Sequence, residues 1–201
     1  MASEAEARRG ATLERETKET RIQLELVIDG SGDYRVDTGI PFFDHMLQSL
    51  ARHALFDLTL VAEGDIAVDF HHTVEDVGIA LGQAFREALG SADGIRRFGF
   101  FLLPMADSMV EVALDISNRP ALVYRVELEN GRIGDFDAAL AEDFFHAFAQ
   151  NAGIDLHVEK RYGRNPHHVV EAVFKGVARA LREAASVDPR ERGLPTVKGA
   201  L

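Results

Sequence analysis

The chain has 201 residues, of which 46% are hydrophobic and 27% charged, values that exclude wholesale disorder and fit one ordinary domain or two small ones. Its 22 basic and 33 acidic side chains give a net charge of −11, which argues against non-specific binding to nucleic acid or to anionic membranes. The absence of cysteine excludes disulfides, thiolate metal sites and a cysteine nucleophile. No apolar run approaches the roughly 20 residues that cross a bilayer, and the charged N-terminus lacks the apolar core of a signal peptide. We therefore expect a cytoplasmic protein.

In the first half of the chain, the hydrophobic pattern predicts alternating strands and helices. Residues 1–11 show no periodicity and are predicted to form a flexible lead-in. The pattern then predicts, in chain order, a strand over 20–28, a helix over 41–54, short strands over 56–61 and 66–70, and a helix over 73–89.

The second half repeats the first. The apolar alternation of residues 108–116 matches that of the first predicted strand at an offset of 88, and the last helices of the two halves match at an offset of 96. The remaining predicted elements are a helix over 139–149, a strand over 154–158 and a helix over 169–184. Two copies of one unit predict an α+β fold of two similar halves that arose by internal duplication, 12–94 and 95–201.

Four of the eight histidines occupy two His-His-x-x-Glu motifs, residues 71–75 and 167–171. At a helix start, the first histidine and the glutamate are four residues apart and share one face, whereas the second histidine points toward a different side. Imidazole nitrogen together with carboxylate oxygen suits Mn, Fe, Zn, Co or Ni. One such motif alone is more often a capping or core device, but two copies at matching places favour metal binding.

Other histidines extend this set of candidate ligands. His45 lies on the first predicted helix, and its counterpart helix offers either Asp143 or His146. His53 and His157 carry less local signal, and the strand alternation around His157 favours structural packing.

A few basic residues stand out in this acidic chain. Arg96 and Arg97 follow a glycine turn, Arg119 follows a predicted strand, and Lys198 lies in an apolar C-terminal segment. Arginine provides forked donors for phosphate and lysine provides a point charge, so as a group these residues favour an anionic substrate.

These residues and motifs resemble the imidazoleglycerol-phosphate dehydratase family. The matching segments follow the family order over nearly the whole chain after Ala11: 17–20, 39–47, 69–76, 94–99, 115–120, 166–172 and 198–201. The resemblance implies a lyase of histidine biosynthesis that dehydrates D-erythro-imidazole glycerol phosphate to imidazole acetol phosphate, in a form without an added phosphatase domain. It also implies helices packed between two mixed sheets, two Mn²⁺ per active site, and a homo-oligomer of 24 subunits with active sites between subunits.

Carried onto this sequence, the resemblance implies two metal-ligand sets: His45, His72, His167 and Glu171 in one, and His71, Glu75, His168 and Asp143 in the other. Plant, fungal and some bacterial members of the family have histidine at position 143, so either Asp143 or His146 would complete the second set. The resemblance implies Glu19 and Glu171 as proton carriers of unassigned order, with His53 near the glycerol hydroxyls. The implied phosphate and substrate contacts, several of them in the C-terminal tail, are Arg97, Arg119, Lys175, Thr196 and Lys198.

Charge stabilisation gives a physical reason for two metal ions in such a reaction. One ion on each ring nitrogen would stabilise an imidazolate intermediate in the dehydration. Two alternatives stay open from the sequence. A dinuclear metallohydrolase would release phosphate and form no ketone, whereas a non-catalytic metal-storage shell would be indifferent to Glu19→Gln.

Overall fold

A computed structural model of the chain describes residues 8–128 and 131–199. The first half contains β1 (Gly10–Glu16), β2 (Thr20–Val27), β3 (Tyr34–Asp37), α1 (Pro41–Ala54), β4 (Asp57–Gly64) and α2 (His71–Leu89). The second half contains β5 (Phe98–Met105), β6 (Ser108–Asp115), β7 (Ala121–Arg125), β8 (Arg132–Ile133), β9 (Phe136–Asp137), α3 (Leu140–Ala152), β10 (Asp155–Tyr162) and α4 (Pro166–Ala185).

Each half forms a four-stranded mixed sheet, and the two sheets have the same topology. The strand order is β1-β2-β4-β3 in the first and β5-β6-β10-β7 in the second. In both sheets three strands pair antiparallel and the last edge strand runs parallel to its neighbour. The matching order and directions confirm the predicted α+β fold of two similar halves.

The four helices lie between the two sheets. Helix α2 packs on β1 and β2, and α4 packs on β5 and β6. Within the helical layers, α2 packs against α3 and α1 against α4. The apolar residues of β2, which alternate in the sequence, are buried against these helices. None of the helices in the described ranges is both long enough and apolar enough to cross a membrane.

Helices α2 and α3 run parallel at unusually close range. A Cβ added at Gly78 would lie 2.7 Å from the carbonyl oxygen of Phe144, and one added at Gly82 would lie 2.6 Å from that of Phe148. Because residues four apart share one helix face, the two glycines open a continuous strip for the partner backbone. This approach brings the starts of the two helices, and therefore the residues they carry, to the same end of the molecule.

Several predicted elements are confirmed, and α1 has the predicted bounds. Residues 66–70, however, do not form a strand, because the amide of Val68 donates a 2.7 Å hydrogen bond to the carbonyl of Asp65 and closes a turn there. Strand β1 begins at Gly10, inside the predicted lead-in of residues 1–11, and residues 1–7 lie outside the described residues.

The sequence also left several strands unpredicted. Strands β3 and β7 are short edge strands, and the outward-facing side of β5 is apolar, which hides its alternation. His157, for which packing was predicted, is instead exposed on β10, with Nε2 3.1 Å from Oδ1 of Asp155.

Candidate metal centre and anion cavity

The first histidine–carboxylate cluster joins α1 to the start of α4. His45, His167 and Glu171 each offer one ligand atom, and these atoms lie within 4.8 Å of one another. Oε2 of Glu171 is 3.2 Å from Nε2 of His167 and 3.8 Å from Nε2 of His45. Two imidazoles and a carboxylate gathered around one point form a donor set that fits a divalent transition-metal ion.

The second oxygen of Glu171 is held by a lysine. Nζ of Lys175 lies 2.5 Å from Oε1, and the Glu171 side chain is only 7% exposed. Burial raises the pKa of Glu171, but the hydrogen bond and charge of Lys175, with the charges of His45 and His167, outweigh it and leave the pKa below its ordinary value. Glu171 is therefore ionised at neutral pH, and its other oxygen, Oε2, faces the two histidines.

His53 is half-buried and lies two turns beyond His45 on α1. Burial and the charge of Lys175 lower the pKa of His53.

The second cluster joins the starts of α2 and α3. Nε2 of His71 lies 3.7 Å from Oε2 of Glu75, and Nδ1 lies 3.5 Å from Oδ2 of Asp143. The two carboxylates therefore face opposite nitrogens of the ring, so this set has suitable donors but is not closed around one point. Of the two residues left open by the sequence, Asp143 lies beside His71, whereas His146 is exposed one turn further along α3.

The second histidine of each motif has partners outside both clusters. Nδ1 of His72 lies 3.0 Å from Oδ2 of Asp65, and Nδ1 of His168 lies 2.7 Å from Oδ1 of Asp107. The hydrogen bond to Asp65 raises the pKa of His72, and the one from His168 holds the pKa of the Asp107 carboxyl well below its usual range. Adjacent residues at a helix start point about 100° apart, which separates each pair of histidines. The structure thus brings together three members of each predicted four-ligand set.

Glu19 lies beside His72, in the turn between β1 and β2. Its side chain is 53% exposed, and Oε1 is 3.9 Å from Nε2 of His72. Buried Asp76 anchors this turn, because its carboxylate accepts hydrogen bonds from Thr20 and from Arg15. No local sequence pattern indicates this anchor, because its partners lie more than fifty residues away along the chain.

One cavity of about 740 Å³ is lined by four of the five predicted phosphate and substrate contacts, namely Arg97, Arg119, Thr196 and Lys198. Nε and Nη2 of Arg97 donate to the two carboxylate oxygens of Asp115 at 2.6 and 2.9 Å, and Nη1 donates to the carbonyl of Pro195 at 2.9 Å. The hydrogen bonds to Asp115 raise the pKa of Arg97. Its fixed charge, beside the three further cationic side chains of Arg96, Arg119 and Lys198, makes the cavity suited to an anion.

The anion cavity and the first cluster lie at opposite ends of α4. The amide of Arg97 donates to the carbonyl of Ala184 near the end of α4, whereas Glu171 lies close to its start. The helix rises 1.5 Å per residue, so these two positions are about 20 Å apart along the axis. Lys175, the fifth predicted contact, remains beside Glu171 and away from the cavity.

The fold and the site define a duplicated α+β protein with paired histidine–carboxylate clusters and a separate anion cavity. The model of the family described as imidazoleglycerol-phosphate dehydratase matches residues 38–181. The chain is 57% identical over 194 residues to the imidazoleglycerol-phosphate dehydratase of Azorhizobium caulinodans. This alignment covers 96% of this chain and 98% of that protein. It is 52% identical over 193 residues to that of Pelobacter propionicus, covering 96% and 99% of the two chains.

Solved structures agree with these relatives. The imidazoleglycerol-phosphate dehydratase of Staphylococcus aureus superposes with a TM-score of 0.81 at 32% identity, covering 89% of this chain and 99% of that one. The enzyme of Pyrococcus furiosus gives a TM-score of 0.82 at 34% identity, covering 94% and 100%. The chain belongs to the imidazoleglycerol-phosphate dehydratase family. It is therefore an enzyme, a dehydratase of the lyase class in a family that serves histidine biosynthesis.

Proposed function

We propose that the protein dehydrates D-erythro-imidazole glycerol phosphate to imidazole acetol phosphate, at active sites that form between copies of the chain. The arrangement of the two motifs carries this proposal. Each motif places its first histidine and its glutamate in a three-membered cluster and turns its second histidine toward a carboxylate elsewhere. Two clusters that each lack one ligand, and two histidines outside them, are complementary across an interface between copies.

The proposed metal sets are those that the family resemblance implies. His72 of a neighbouring copy would complete the cluster of His45, and His168 of a neighbouring copy would complete that of His71. Imidazole and carboxylate donors without thiolate suit Mn²⁺, and we propose two ions per active site. When bound, the ions would supply electrostatic stabilisation for the negative charge that develops on the imidazole ring.

The separation along α4 supports the same assembly. The substrate has a three-carbon chain between ring and phosphate, which at about 1.5 Å per bond spans far less than the distance from cluster to cavity. The ring and the phosphate of one substrate molecule therefore contact different copies of the chain. In the cavity, Arg97, Arg119 and Lys198 supply the positive charge for the phosphate.

Proton transfer falls to the carboxylates in this proposal. The hydroxyl on the carbon beside the ring leaves, a proton leaves the next carbon of the chain and forms water with that hydroxyl, and the resulting enol relaxes to the ketone. Glu171, ionised and held by Lys175, and Glu19, exposed beside His72, are the proposed proton carriers. His53, close to Lys175, is proposed to hold the glycerol hydroxyls. An assembly of 24 subunits and a cytoplasmic location complete the proposal by family resemblance.

The reaction is tested with protein that has been stripped by chelator and then reloaded with Mn²⁺. We expect turnover of imidazole glycerol phosphate to appear with the metal and to yield a ketone without free phosphate. Release of phosphate without a ketone would instead support a metallohydrolase. Metal binding without any turnover of this substrate would overturn the proposed substrate.

The assembly between copies is tested by mixing two inactive variants, His72→Ala and His45→Ala, after dissociation and reassembly. A hybrid interface can combine His45 of one subunit with His72 of the other, so we expect about a quarter of the wild-type activity to return. The matched control mixes His45→Ala with His167→Ala, which belong to one cluster and cannot complement each other. No recovery in the first mixture, when reassembled wild type regains activity, would overturn the shared site.

A further inference from the structure

His72 and His168 are oriented in the same way, each by a carboxylate that binds Nδ1. Both carboxylate oxygens of Asp65 lie within 3.2 Å of Nδ1 of His72, and Oδ1 of Asp107 lies 2.7 Å from Nδ1 of His168. An ionised carboxylate has no proton to donate and acts only as an acceptor, so Nδ1 of the histidine carries the proton. In the neutral imidazole, Nε2 is then left with a free lone pair, the form in which histidine binds a metal.

The two carboxylates come from different places in the duplicated fold. Asp65 directly follows β4, whereas β10, the counterpart strand, is followed by Gly163 and Arg164. Asp107 directly precedes β6, and the residue in that place before β2 is Glu19. A contact that duplication had merely copied would come from equivalent positions. Its presence in both halves from different positions indicates that the hydrogen bond itself is needed.

Backbone hydrogen bonds hold both aspartates in place, at the carboxylate of Asp107 and at the main chain of Asp65. Oδ2 of Asp107 accepts hydrogen bonds from the amides of Arg164 at 3.1 Å and Asn165 at 3.3 Å. The amide of Asp65 donates to the carbonyl of Glu19 at 3.1 Å. The direction of each imidazole is therefore set through an aspartate that hydrogen bonds to the main chain hold in place.

We infer that Asp65 and Asp107 are positioning residues, which hold His72 and His168 with Nε2 presented as a ligand for a neighbouring copy. This inference rests on the proposed function, because it assigns both histidines to metal sites shared between copies. It also explains why Glu19 and Asp107, which occupy equivalent positions in the two halves, contact different nitrogens of their histidines. Asp107 is hydrogen-bonded to Nδ1 of His168. In the first half, Asp65 binds Nδ1 of His72, so Glu19, the positional equivalent of Asp107, lies beside Nε2 of His72 instead.

The test measures Mn²⁺ affinity directly, from the electron paramagnetic resonance signal of free Mn²⁺ during titration of the chelator-treated full chain. Loss of an orienting partner typically weakens metal binding 10–100-fold. We expect Asp65→Asn and Asp107→Asn each to weaken one class of Mn²⁺ site by about this factor and to leave the other class unchanged. The melting temperature of the metal-free variants should stay at the wild-type value.

Asp155→Asn is the matched control, because Asp155 contacts His157 by a similar hydrogen bond on the exposed face of β10. This variant should bind Mn²⁺ as the wild type does. A double variant distinguishes positioning from a general structural role. If Asp107 acts through His168, adding Asp107→Asn to His168→Ala should weaken Mn²⁺ binding no further.

The outcomes separate this inference from the proposed function. Wild-type affinity in both single variants, or a full further loss in the double variant, would overturn the positioning role while the proposed function stands. A uniform loss at both classes of site with a lower melting temperature would show a structural role and overturn it as well. Absence of Mn²⁺ binding by the wild type would overturn the proposed function and, with it, this inference. Should Asp107→Asn not fold, Asp65→Asn with His72→Ala provides the same cycle.

Discussion

Replacing Lys175 with methionine would leave the buried carboxylate of Glu171 without its cation. The two side chains are 20% and 7% exposed, and their charged atoms lie 2.5 Å apart. Removing one partner of a buried ion pair costs about 3–5 kcal/mol, because the remaining charge stays desolvated. Partial exposure of the lysine and the two imidazoles near Oε2 reduce this cost, so we expect the free energy of unfolding to fall by about 2–3 kcal/mol at pH 7.

The pH dependence of this loss has a definite sign. In the wild type the pKa of Glu171 lies below its ordinary value, so its contribution to stability is present above the unfolded pKa and is lost as pH falls through the folded pKa. In the variant, burial without the cation raises the folded pKa, so folding carries a penalty that disappears in acid. The difference in stability between the two proteins should therefore shrink as the pH falls toward about 4.3, the ordinary pKa of a glutamate.

Urea denaturation of metal-free protein at one fixed subunit concentration measures this difference at pH 7 and pH 5. Arg190→Met is the control, because Arg190 pairs with Asp188 at the surface and its loss should leave the urea midpoint unchanged. An unchanged midpoint for Lys175→Met at pH 7, or a deficit that grows as the pH falls, would refute the proposed role of the ion pair.

Three further substitutions test the packing and the cavity. Gly78→Ala should lower the free energy of unfolding by about 1–3 kcal/mol in urea, because the added methyl group meets the carbonyl of Phe144. Phe174→Ala should cost about 3–5 kcal/mol, since its fully buried ring lies 5.2 Å from that of Phe144. Arg97→Lys should weaken binding of inorganic phosphate in calorimetry and speed proteolysis of the C-terminal segment, because lysine cannot bind Asp115 and Pro195 together. Wild-type behaviour in any of these assays would contradict the corresponding contact.

Local periodicity explains which elements could be predicted from the sequence. Helix α1 and strand β2 each bury one face, so the helical and alternating patterns identify them and nearly give their bounds. Strand β5 could not be identified in this way, because Phe98, Phe100 and Leu102 are exposed on its outer side and remove the contrast between its faces. The register and direction of the edge strands depend on hydrogen bonds to distant segments, which no local pattern encodes.

The candidate site likewise has features that follow from local helix geometry and others that depend on contacts between distant segments. The sequence by itself determined the duplication and the two motifs, because a helix of 3.6 residues per turn places the first histidine and the glutamate of each on one face. Only the tertiary structure decided that parallel helices bring His45 to Glu171 and His71 to Asp143. It also decided that the second histidine of each motif turns to a carboxylate outside both clusters, while the anion cavity forms at the far end of α4. These contacts join residues far apart in the chain, and their distances are set by how whole helices and sheets pack together.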